Sequence, residues 1–362
     1  TFKEGQHMMA PVMLAGLLPA ISGIIPDTEL TPGMAMLPGF NVTLLLKQLM
    51  IESVNPELIF ITLMSNSLFA VLALIFAASV FSREPVIFGG GNLFDNIFKM
   101  RRDSFPRPEM GLGLLVFTIL LVASFYISSG LAEFGLHIQI PVLQLGVFLS
   151  IPLLVAYYFR WDFGEVFRLN TPSISAVFGA IVIGLSAWLA VSWTAQIIPV
   201  PPEFAEELIK MLGLDTPQYS IVAQLVLLAL LPAICEEFAF RGMLLSAFLK
   251  HFSPPVAIFC TALCFGLAHM SLYRFIPTLV LGLILGYAVW QTRSIWVGVI
   301  IHALNNGILV LSARYEEWLS ESLVNVDEVA SLWVIVLATV ICGTGFWFLT
   351  QRQQHPRIAM NK

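Results

Sequence analysis

Ten long apolar runs follow one another along the chain, at about 8–26, 57–81, 111–131, 141–159, 174–199, 219–248, 254–271, 275–292, 295–312 and 331–350, and most contain no Asp, Glu, Lys, Arg or His. A run of roughly 17–25 such residues, wound as a helix, matches the thickness of bilayer hydrocarbon, and a helix satisfies its own backbone hydrogen bonds where no water can. The expected fold is therefore all-α, a polytopic transmembrane helical bundle of about ten spans. The composition agrees: 58% of the residues are hydrophobic and 11% charged, whereas soluble domains sit near 45–50% and about 25%. The stretch 33–50 is apolar but interrupted by Pro38 and Gly39, and reads as a re-entrant or interfacial segment rather than an eleventh span. Membrane lipid is the expected surrounding. A net charge of −5 argues against nucleic acid as a partner. Cys235, Cys260, Cys264 and Cys342 all fall inside apolar stretches and form no CxxC pair, so they read as small buried hydrophobes, not as disulfides or a zinc site.

Basic residues orient the spans, because Lys and Arg collect in cytoplasmic loops. With both termini cytoplasmic, 13 of the 18 basic residues fall in inside segments and 4 in outside ones, and Arg241 lies within a span. The longest polar connection, about 82–109, holds Gly89, Gly90 and Gly91 and the densest basic cluster. It sets the expected division: a first part over 1–85 with two spans, a cytoplasmic basic linker over 86–110, an eight-helix bundle over 111–350, and a cytoplasmic tail over 351–362. The chain starts at Thr1 without a methionine or a signal-peptide pattern, and reads as a fragment or the tail of a fusion. Asn41-Val42-Thr43 fits a glycosylation sequon.

Ionisable side chains in hydrocarbon are costly and mark function by default. Here they cluster in three places. In Glu236-Glu237-Phe238-Ala239-Phe240-Arg241, Glu237 and Arg241 are spaced i, i+4 and can form an ion pair, while Glu236 points about 100° away with no partner on its own helix. An unpaired carboxylate in a low-dielectric site suits a general base. The second place is Phe265-Gly266-Leu267-Ala268-His269, and the third is His302-Ala303-Leu304-Asn305-Asn306, where His302 and Asn306 again share a face. Depth links them. Glu236 precedes the turn near 249–254 by 13 residues and His269 follows it by 15, so both lie roughly 20 Å along their helices from that turn. His302 and Asn306 follow the turn near 293–295 by roughly 12–18 Å, so all these side chains can share one layer.

The trio EExxxR, FxxxH and HxxxN, in this order on three hydrophobic helices, resembles the CAAX-protease and bacteriocin-processing family of intramembrane proteases over about 110–350. The resemblance implies hydrolysis of a peptide bond at or in the membrane, with a peptide as substrate and Glu236, Glu237, Arg241, His269, His302 and Asn306 as the site. Glu236 with His269 would activate water, His302 and Asn306 would stabilise the oxyanion, and Glu237 with Arg241 would brace the site. Glu236, His269 and His302 could hold Zn²⁺ with one open position, and a metal-free glutamate mechanism fits the same residues. The expected location is a bacterial plasma membrane. Residues 36–50, the run at 57–81 and Phe81-Ser82-Arg83-Glu84 resemble the end of an ABC-2-type, sodium-export-like permease subunit. That likeness implies a permease–protease fusion and, since the chain lacks a GxxxxGK[ST] loop, a separate ABC ATPase as partner. Two other readings stand beside the protease: a transport subunit whose C-terminal bundle is non-proteolytic, and an idle scaffold that binds peptides.

Overall fold

A computed structural model describes residues 17–81 except 18, 20, 27 and 52, residues 108–315 except 132, 195, 196 and 215–218, and residues 332–351. Among these residues the regular structure is helical, and the one extended pairing is an isolated antiparallel bridge between Leu169 and Ser294. The chain forms two compact units, one of Thr1–Lys99 with Met270–Leu272, the other of Met100–His269 with Tyr273–Lys362. The linker expected over 86–110 and the tail over 351–362 lie almost wholly outside the described residues.

The first unit has a short helix at Pro32–Ala35, then α1 (Phe40–Ile51) and α2 (Pro56–Phe81). The apolar stretch 33–50 breaks where Pro38 and Gly39 predicted, and Gly39 takes a φ of 88° that side chains rarely adopt. Polar side chains answer the carbonyls exposed near the break. Asn41 Nδ2 donates to Ala35 O at 2.9 Å, and Ser65 Oγ on α2 donates to Met36 O at 2.9 Å. Asn41 is fully buried, so the sequon reading does not hold: a glycan has no access to that amide.

The second unit continues with α3 (Met110–Gly130), α4 (Leu136–Tyr158), α5 (Ile174–Thr194), α6 (Pro202–Met211), α7 (Ile221–Leu249), α8 (Pro254–Ala268), α9 (Leu272–Thr292), α10 (Ile295–Arg314) and α11 (Leu332–Thr350). Six described helices are long and apolar enough to cross a membrane: α2, α3, α4, α7, α9 and α10. Among the described residues the apolar helices at Ile174–Leu189, Pro254–Ala268 and Ala338–Thr350 are shorter. Nine of the ten expected runs thus appear as helices, and the first, 8–26, falls mostly outside the described residues. The run expected at 254–271 stops at Ala268, because His269 caps it and Met270 turns to a φ of 47°. The amphipathic α6, with Glu203, Glu206, Glu207 and Lys210, lies in what the apolar pattern left as a connection.

Three stretches of the second unit wind more widely than an α-helix, at Val142–Leu149 in α4 and at Leu225–Leu230 and Phe238–Leu244 in α7. Such turns are frequent at functional sites, since they redirect side chains and loosen the backbone ladder. Helix α7 packs on α4 and α10, and α5 packs on α10 and α11. The connection after α4 is stitched to α7. Arg168 Nη1 donates to Arg241 O at 2.6 Å and to Ser246 Oγ at 2.8 Å, and Ser246 Oγ donates to Val166 O at 2.9 Å. Across to the start of α10, Ile295 N donates to Arg168 O at 3.0 Å. Burial, and next the charge of Arg293, lower the Arg168 guanidinium to about 10, so it stays charged at neutral pH. Phe167 packs so closely on α7 that a Cβ on Gly242 would lie 2.4 Å from its Cδ1.

Removing Arg168 would leave this carbonyl and hydroxyl without their donor. Arg168→Ala should lower the unfolding free energy by about 2–3 kcal/mol, read as an earlier midpoint on titrating micelles with sodium dodecyl sulfate. Arg168→Lys should recover only part of the loss, since a point charge cannot reproduce the guanidinium fork.

Candidate active site

Glu237 and Arg241 stand one turn apart on α7, and both side chains are fully buried. Arg241 Nη1 donates to Glu237 Oε1 at 2.8 Å, and Arg241 Nη2 donates to Gly282 O on α9 at 3.2 Å. His302 on α10 brings Nδ1 to 3.1 Å from the same Glu237 Oε1. An ionised carboxylate only accepts, so this contact assigns the proton to Nδ1 and turns Nε2 toward Glu236, whose Oε2 is 3.9 Å away. Gly298, one turn before His302, makes the approach possible: a Cβ there would fall 2.6 Å from Glu237 Oε2.

The Phe265 ring from α8 lies at the centre of these groups and is 1% exposed. The Arg241 guanidinium carbon sits 4.4 Å from its centroid. The rings of His269, His302 and Phe240 meet it edge-on at 5.0, 5.7 and 5.1 Å. A cation over a desolvated aromatic face contributes on the order of 2 kcal/mol, so the FxxxH phenylalanine joins the EExxxR arginine to both histidines.

Glu236 differs from its neighbour. Its side chain is 12% exposed where that of Glu237 is 0%. Gln144, from the widened part of α4, donates through Nε2 to Glu236 Oε1 at 2.9 Å. His269 caps α8 and holds Nδ1 2.9 Å from Phe265 O. That carbonyl can only accept, which leaves Nε2 as the lone-pair nitrogen of the neutral ring. The Arg274 guanidinium, in the first turn of α9, exerts its charge on both Glu236 and His269. Asn306 Nδ2 donates to Leu228 O at 3.4 Å. That carbonyl lies four residues before Pro232, which has no N–H to offer it. Asn305, 1% exposed, donates from Nδ2 to Asn306 Oδ1 at 3.3 Å. The Asn306 carboxamide is thus engaged at both ends.

Of the residues singled out from sequence, Glu237, Arg241, Phe265 and His302 form a closed ring of contacts, each touching the next. Glu236 joins them through the approach to His302, and His269 joins through Phe265. No hydrogen bond links His269 to Glu236, and Asn306 stands one turn beyond His302 on α10. Sequence reading passed over Gln144, Asn305 and Gly298. Gln144 carried a signal, a buried carboxamide in an apolar run, but its partner lies 92 residues away. Among the described residues no three His, Cys, Asp or Glu side chains form a group able to hold a metal ion. Both imidazole Nδ1 atoms face protein oxygens, which leaves Nε2 of His269 and of His302 as the ring nitrogens open to water or a metal ion. All four cysteines are free thiols; Cys235 and Cys264 are buried, whereas Cys260 and Cys342 are only half-buried.

Breaking the Glu237–Arg241 pair would leave a buried charge without its partner. Glu237→Ala should destabilise the protein by about 3–5 kcal/mol, measured by reversible unfolding in mixed micelles. Gly298→Ala should also destabilise it, by pushing α10 off the Glu237 carboxylate.

Comparison with known proteins bears on this cluster. Residues 218–308 match the family model described as Rce1-like, the type II CAAX prenyl endopeptidases. No curated protein and no solved structure matches the chain. The matched residues run from the connection before α7 into α10 and include EExxxR, FxxxH and HxxxN. The segment that carries all three motifs is thus similar to the type II CAAX prenyl endopeptidases, over about a quarter of the chain.

Proposed function

We propose that the protein is an intramembrane endopeptidase that hydrolyses a peptide bond of a membrane-associated or C-terminal peptide, using Glu236 as the base. One observation carries this reading. Two consecutive carboxylates on α7 are placed in different environments: Glu237 is sealed and bound through Oε1 to Arg241 and His302, while Glu236 remains reachable and its Oε2 takes no hydrogen bond. A pair of like groups held in unlike surroundings is how one site separates a structural charge from a working one. The family match over 218–308 supports the same class of chemistry.

In this reading Glu236 accepts a proton from a water as its oxygen attacks the scissile carbonyl carbon. His269, with Nε2 as lone-pair nitrogen, accepts a hydrogen bond from the other water proton and orients it. The carbonyl oxygen becomes an oxyanion, to which His302 Nε2 and the Asn306 amide donate. Donation from His302 Nε2 requires both ring nitrogens protonated, with Glu236 and Glu237 flanking that positive charge. The C–N bond then breaks, and the proton held by Glu236 passes to the departing amine. Each step uses groups of the protein itself.

Glu236→Gln and His269→Ala should each lower turnover at least 10²-fold, measured by mass spectrometry of a farnesylated Cys-a-a-X peptide incubated with protein in liposomes. Near-normal turnover by either variant would sink the assignment. Treatment with a chelator, followed by metal analysis of the active protein, should leave cleavage unchanged. Activity that disappears and returns with added Zn²⁺ would replace the glutamate mechanism with a metal-dependent one.

A further inference from the structure

The family match begins at residue 218 and the three motifs lie within it, yet the side chain that binds the proposed base comes from outside. Gln144 sits in the middle of α4, in the stretch where that helix widens, and is 7% exposed. Its Nε2 donates to Glu236 Oε1 at 2.9 Å. With Glu236 ionised, only the NH₂ end of the amide can face the carboxylate, so the orientation of the amide is fixed by its partner. The other end, Gln144 Oε1, is buried and has no hydrogen-bond partner. Gln224 and Asn305 likewise donate through the amide nitrogen while the buried oxygen is unmet, so what sets Gln144 apart is its partner: its donor meets a carboxylate on another helix, where those two meet a backbone carbonyl and a neighbouring amide.

We propose that Gln144 is a positioning residue for the Glu236 base: its amide holds Oε1 and thereby leaves Oε2, the oxygen that faces His302, as the one that meets water. Three side chains then fix the two glutamates. Gln144 holds Glu236 from α4, while Arg241 and His302 hold Glu237 from α7 and α10. The wide turn of α4 over Val142–Leu149 has a role in this arrangement, since it sets the direction in which Gln144 leaves its helix. Without the amide, the Glu236 side chain regains rotamers that aim Oε2 away from the water, and misplacement of a catalytic group acts on turnover rather than on substrate affinity.

The assignment rests on Glu236 being the base, and the test separates the two. Gln144→Met keeps the volume and burial of the side chain and removes the donor. With the farnesylated Cys-a-a-X peptide, kcat should fall by on the order of 10- to 100-fold, the loss of a hydrogen bond to a charged group, with KM unchanged within twofold and the unfolding midpoint preserved. In isotope-edited infrared spectra of protein labelled with ¹³C-glutamate, the carboxylate band that disappears in Glu236→Gln should shift in Gln144→Met. Should Gln144→Met fail to fold, Gln144→Asn, one methylene too short to reach, should shift the same band. A kcat within twofold of wild type, or an unmoved Glu236 band, overturns the proposal while an inactive Glu236→Gln leaves the base assignment standing. A Glu236→Gln variant that still cleaves overturns both.

Discussion

The Glu237–Arg241 ion pair, with neither side chain exposed, is the interaction on which the rest of the second unit depends. Removing two charges from water is costly, and their attraction offsets that only where further hydrogen bonds complete the geometry. Neighbouring helices supply part of these, leaving Glu237 Oε2 and Arg241 Nε without a partner. His302 donates to the carboxylate from α10, Gly282 O accepts from the guanidinium on α9, and the Phe265 face covers it from α8. Each contact that stabilises the pair also fixes a helix against α7, so the requirement to neutralise two buried charges assembles the helices that carry the motifs.

Irregular backbone is the second means of assembly. Pro232 withholds an N–H from Leu228 O, and Asn306 donates there instead. The wide turns of α4 and α7 reset the directions of Gln144 and of the residues after Glu237. Arg168 reaches in from a connection to occupy Arg241 O, within the widened stretch of α7. In each case a backbone that departs from the ideal ladder is satisfied by a side chain from elsewhere, which ties a local distortion to a tertiary contact. Close approach completes the design: Gly298 and Gly242 lie where a Cβ would strike Glu237 and Phe167.

These features divide labour between two neighbouring glutamates of identical chemistry. Burial and saturation of one oxygen make Glu237 a fixed negative charge that orients His302. Partial exposure and a single donor, Gln144, leave Glu236 with an oxygen available to water. The Phe265 ring meets both His269 and the Arg241 guanidinium, so the imidazole proposed to orient water is placed by the same ring that covers Arg241.

Sequence by itself determined a good deal. Apolar runs with rare charges require helices in lipid, and nine of them are helices here. Spacing of i, i+4 determined that Glu237 would pair with Arg241 on one helix face, because that relation is fixed by helix pitch alone. Pro38 and Gly39 determined the break before α1, since proline and a left-handed glycine act on the local backbone. Tertiary structure decided what local rules cannot reach. That His302 binds Glu237 rather than serving Glu236 alone, and that Gln144 and Asn305 lie beside these groups, depend on the rotation and depth of separate helices. Periodicity gives the face of each helix but not its angle to the next. That angle was set by the buried charges, the wide turns and the glycines at which helices touch.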